Sequence, residues 1–153
     1  MTFAPGEYVI KDGPFIVADT ASISGNGVGF YLTGSNARFQ FGIDTTISLV
    51  APSNGVMAGL LFHESRDQPT ISSHAILSDN ARLLLGTIYL PRGDLKIDAK
   101  KPVADQSAYT AIVAHTLKLY SGPNLVLNTN YDQTSVPVPD GIKGVGQPVA
   151  LVQ

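Results

Sequence analysis

Apolar residues along this chain come in runs of about three to five, separated by Gly, Asn, Asp, Ser and Pro, and no window of helical length keeps a 3.6-residue period. Short strands joined by tight corners are the elements this pattern predicts. One kind of strand recurs, at 7–10 (EYVI), 29–32 (GFYL), 59–62 (GLLF), 87–90 (TIYL) and 111–114 (AIVA). Their ends, Ile10, Leu32, Phe62, Leu90 and Ala114, follow one another at intervals of 22, 30, 28 and 24 residues, the length of one solenoid coil with variable loops. A second strand follows at 15–17, 38–41, 95–98 and 117–119, where Phe39, Phe41, Leu95, Ile97, Leu117 and Leu119 are expected to face inward. A third set falls at 22–24, 46–49, 83–85 and 125–127. Three strands per turn stacked like on like give an all-β fold, a parallel β-helix of about five coils, and the crossover rule makes it right-handed. An antiparallel β-sandwich or jelly roll is the alternative for short, closely spaced strands, but it gives no reason for one strand type to recur.

The first-strand column departs from ordinary alternation because it is apolar on both parities. One side presents Tyr8, Phe30, Leu60, Ile88 and Ile112, and the other Val9, Tyr31, Leu61, Tyr89 and Val113. A strand between core and water alternates, so this second side reads as an interaction stripe that something covers. The cover is either the chain's own tail or another protein, with Tyr31 and Tyr89 as anchors in the second case. The division that follows is a β-helix domain over 1–127 and an extended tail over 128–153, whose VPVP segment at 136–139 can run across a face. Residues 1–6 and the tail are also the candidates for capping the open strand edges at the two ends.

Composition narrows the possibilities. With 153 residues the chain has room for one domain and a substantial core, and 44% apolar against 14% charged residues rules out a disordered chain. A net charge of -2, with no basic cluster beyond Lys100 and Lys101, argues against nucleic acid. The absence of cysteine removes disulfides, thiolate metal sites and cysteine nucleophiles. No apolar run has the length of a membrane span, and residues 1–6 lack the plan of a signal peptide.

Candidate chemistry is sparse. His63 and His115 each directly follow a first strand, which puts them in one corner column two coils apart, too far to share a metal ion. The stretch His63, Glu64, Ser65, Arg66, Asp67 is the most charged, and His63, Glu64, Arg66 and Asp67 are read as a binding loop or as a solvated corner with Arg66 paired to Glu64 or Asp67. Asp98, Asp105 and Asp132 fall on different segments, so no carboxylate pair for glycoside chemistry is visible, and no Gly-x-Ser-x-Gly nucleophile turn occurs. The reading is a non-enzymatic domain with no catalytic residue, metal or cofactor. A carbohydrate-active β-helix, binding or cleaving polysaccharide, is the alternative.

The segments FAPGEYVIKDGP (3–14) and GVGFYLTG (27–34) resemble the C-terminal region of Tad-type (Flp-type) pilus-assembly proteins of the TadG kind. ISLVAP (47–52), AGLLF (58–62) with ESRD (64–67), and LGTIYLP (85–91) follow in that region's order, and the likeness extends to about Pro139. The resemblance implies a periplasmic or cell-surface location, a membrane-anchored parent, pilus-assembly or other cell-envelope proteins as partners, and a part in adhesion. The family's N-terminal membrane anchor and von Willebrand-like segment have no counterpart in this sequence, so anchoring and metal-dependent adhesion are not carried over.

Overall fold

A computed structural model describes residues 1–122 and 124–142; the remaining part of the predicted tail, 143–153, lies outside the described residues. The chain winds into a parallel β-solenoid of about five turns with three faces, as the recurring strands require. The first face stacks β2 (Gly6–Lys11), β5 (Val28–Thr33), β8 (Leu60–Glu64), the middle of β10 (Asn80–Ile97) and the first half of β11 (Thr110–Leu119). On the second lie β3 (Pro14–Val17), β6 (Arg38–Phe41), β9 (Ser72–Ile76), the end of β10 and the end of β11. The third holds β1 (Thr2–Phe3), β4 (Ser22–Asn26), β7 (Thr46–Val50) and the start of β10. Every pairing between the named strands is parallel, which excludes the sandwich; the one antiparallel contact among the described residues is an isolated bridge from Tyr109 to Thr129.

One strand and one irregular segment escaped the sequence pattern. β9 lies in a stretch to which the recurring pattern assigns no strand, because its inward positions are Ser72, His74 and Ile76, and only the last is apolar. Above β10 the third face is completed by 103–107, where Ala104 N–H donates to Ala81 O and Gln106 N–H to Arg82 O, both at 2.9 Å. Leu125 bridges in turn to Val103, so the segment assigned to that coil belongs to the next one.

The interior is a set of like-on-like ladders. On the first face Tyr8 stacks over Phe30, Phe30 over Phe62, Phe62 over Ile88 and Ile88 over Ile112. Aromatic rings pack offset through the lumen, with Phe30 at 5.2 Å from Phe15 and 5.1 Å from Phe62, and Phe39 at 4.3 Å from Phe62. Phe39, Phe41, Leu95 and Ile97 are fully buried as expected. Leu117 and Leu119 keep the register but are 41% and 49% exposed, because no further coil lies over them among the described residues. At the opposite end Phe3 from β1 closes the lumen, edge-on to Tyr8, Phe15 and Phe30.

Polar side chains stitch successive coils together. Asp12 Oδ1 accepts from Ser35 N–H, Asp79 Oδ1 from Lys100 N–H, and Asp98 Oδ1 from Ser121 Oγ–H. Arg82 forms a two-pronged pair with Asp105, and Lys118 reaches Asp94 at 2.8 Å. The carboxyls of Asp94, Asp98 and Asp105 are held below the usual range chiefly by hydrogen bonds from Lys118, Lys96 and Arg82 respectively.

The tail follows a path the sequence did not specify. After a 3-10 turn at Tyr131–Gln133, Val136 is buried and Pro137 O accepts from Tyr109 Oη–H at 2.6 Å. Gly59 makes this close approach possible: its φ is +77°, and a Cβ there would collide with Pro137 O. The Tyr109 ring is fully buried, and burial pushes its phenol up to about 12. Below pH 10 the phenol is neutral in folded and unfolded chains alike. Between about 10 and 12 the unfolded chain ionises first, so stability falls with rising pH across that window. Tyr109→Phe is therefore expected to lose about 1 kcal/mol near neutrality and to show a weaker alkaline fall than the parent; thermal melts from pH 8 to 12 read both. An identical alkaline slope in the two proteins would refute the role assigned to Tyr109.

Candidate functional site

The outward side of the first face carries one continuous feature. Strand pairing places Val9 beside Tyr31, Tyr31 beside His63, His63 beside Tyr89 and Tyr89 beside Val113. The stripe expected from sequence is thus present, with one correction: Leu61 does not belong to it. Strand β8 bulges between Leu60 and Phe62, so Phe62 rather than Leu60 occupies the inward ladder and Leu61 is fully buried with the core. His63 takes the outward place instead. It sits within a strand and not at a corner, whereas His115 lies at the bend of β11, 3.0 Å from Asp94. The two histidines share no column.

Within the ladder the rings meet edge to face. Tyr31 and His63 have centroids 5.4 Å apart at 65°, and His63 and Tyr89 5.3 Å apart at 64°. All three rings are partly exposed, and Val9 is 63% exposed. The imidazole of His63 is held below its ordinary pKa first by partial burial and then by the Arg66 charge, which makes it a neutral ring at physiological pH. Arg66 folds back over the ladder, donating from Nε to Tyr89 Oη at 2.9 Å with its guanidinium carbon 5.6 Å from that ring's centroid.

The four residues of the expected binding loop therefore separate. His63 and Arg66 belong to the ladder, Asp67 is exposed beside it, and Glu64 leaves the surface altogether. Arg66 pairs with neither Glu64 nor Asp67; its partner is the phenol of Tyr89. Glu64 and His74 are both fully buried in the lumen, with Glu64 Oε1 3.3 Å from His74 Nε2. Phe39 N–H donates to His74 Nδ1 at 3.3 Å, which places the ring proton on Nε2 facing Glu64. Glu64 Oε2 accepts from Arg92 N–H at 2.9 Å. Gly93 is required beside the pair, since a Cβ would stand 2.6 Å from His74 Nε2. Enclosed in this way, the pair is a structural element with no access for a substrate.

The tail packs along the Gly59 and Tyr109 edge, and the rings of Tyr31, His63 and Tyr89 stay partly open. Among the described residues no group of three or more His, Cys, Asp or Glu side chains is arranged to hold a metal ion, and no helix is long and apolar enough to cross a membrane. Comparison with known protein families, curated proteins and solved structures finds no match to this chain.

Proposed function

We propose that the chain is a non-enzymatic extracytoplasmic scaffold or binding domain of a Tad-type pilus-assembly protein, placed in the periplasm or at the cell surface, with the outward ladder as its contact surface. The observation that carries this reading is the run of Val9, Tyr31, His63, Tyr89 and Val113 across five coils, its three rings partly open on a closely packed solenoid. Aromatic residues held rigidly at a surface lose little entropy on binding and are the usual anchors of an interface. The non-enzymatic part of the reading is supported by the carboxylates: Glu64, Asp79, Asp94, Asp98 and Asp105 are each engaged in holding the fold. The pilus assignment rests on the order of the sequence motifs, and its partners are other pilus-assembly or cell-envelope proteins.

The combined substitution Tyr31→Ser and Tyr89→Ser tests the contact surface. The loss of two cross-strand ring pairs is expected to cost about 0.5–2 kcal/mol, leaving a folded monomer. Association with purified pilus-assembly proteins, followed by surface plasmon resonance, should fall at least tenfold. Unchanged association would remove the ladder from the interface. A second reading, polysaccharide binding, is favoured by the arginine laid over Tyr89.

A further inference from the structure

Two arginines flank the ladder on the side toward the second face. Arg66 and Arg92 lie three residues beyond the paired positions His63 and Tyr89, on neighbouring coils, and both are exposed. Among the described residues neither forms an ion pair with a carboxylate. Asp67, the acid next in sequence, sends its backbone N–H to Ser65 Oγ. Arg66 uses Nε on Tyr89 and, among the described residues, its terminal nitrogens have no protein acceptor, so an unneutralised planar cation is fixed against a partly open aromatic ring. The ligand complementary to that arrangement has an apolar ring face joined to a carboxylate.

The strands decide between a peptide and a sugar. A peptide recognised by a sheet gains most of its affinity from a free strand edge. Here β5, β8 and the middle of β10, which carry the three rings, are each paired on both sides; among the described residues the free edges of this face lie at β2 and β11, away from Tyr31, His63 and Tyr89. What remains is ring faces and arginine N–H groups, with an aromatic on each of three successive coils at 5.4 and 5.3 Å, so a chain lying along the solenoid axis meets one per coil.

We infer that the ladder binds an acidic polysaccharide, the C–H faces of its sugars resting on Tyr31 and Tyr89 and a uronate carboxylate received by the terminal nitrogens of Arg66. This rests on the second reading of the ladder, as a polysaccharide-binding surface, and adds the chemistry of the sugar it would take. The test is calorimetric titration of the whole chain with oligogalacturonate, and with a neutral maltooligosaccharide of equal length as control. The parent should bind the acidic oligomer at least tenfold more tightly than the neutral one, and Arg66→Gln, a surface change with little effect on folding, should abolish that difference. No binding of oligogalacturonate, equal binding of the two oligomers, or an unaltered preference in Arg66→Gln would each overturn the inference. The two ideas fail separately: absent oligogalacturonate binding with retained tyrosine-dependent association to pilus proteins removes only the glycan, while loss of both removes the ladder as a site.

Discussion

Glu64→Leu should destabilise the protein by about 2–6 kcal/mol, the combined cost of leaving two buried donors without an acceptor. The substitution deprives two donors at once, His74 Nε2–H and the Arg92 amide, in a lumen with no exposure at either side chain. The position itself accepts an aliphatic residue, since Glu64 is paired with Leu32 in the strand register. Adding His74→Leu, at a site paired with Leu95, removes the stranded ring N–H and should recover part of the loss. Recovery is incomplete because the Phe39 and Arg92 amides then lack acceptors. Urea midpoints of the two single variants and the double give the coupling directly. A double variant destabilised by the full sum of the singles would show that Glu64 and His74 do not act as a pair.

Phe30→Ala is the second large effect, with an expected cost of about 3–5 kcal/mol. Phe30 is fully buried, stacked on Tyr8, Phe15 and Phe62 and met edge-on by Phe3, so truncation opens a void where the N-terminal cap joins the lumen. Neighbouring strands paired on both sides restrict collapse into that void. Phe30→Leu, which keeps most of the volume, should cost less than half as much. A midpoint for Phe30→Ala close to the parent's would mean that the lumen tolerates a cavity there and that Phe3 is not an essential cap.

These two positions also show where legibility in the sequence stopped. Phe30 was identifiable as a ladder residue because its strand recurs along the chain. Glu64 and His74 were not, because a carboxylate and an imidazole in a polar stretch read as a loop, and the strand at Ser72–Ile76 was lost with them. Nothing local marks a charged residue as interior when its partner lies ten residues away across a corner. The displaced stripe has a similar origin. Leu60, Leu61 and Phe62 are equally apolar, so hydrophobicity gives no phase for β8, and the bulge that puts His63 outside exists only in the pairing with β10.

The sequence by itself determined the class of fold, the parallel stacking and the number of turns, because strand recurrence at coil-length intervals is a one-dimensional signal that each coil repeats. Most of the inward ladders followed from period-two alternation within those strands. Tertiary structure alone decided which residues face out along the first face, that Arg66 lies on Tyr89, that Glu64 and His74 meet in the lumen, and that the tail is held by Tyr109 at Gly59. Those outcomes depend on pairings between residues 10 to 28 positions apart. They are set by the register of one coil on the next, a relation between segments that no single segment encodes.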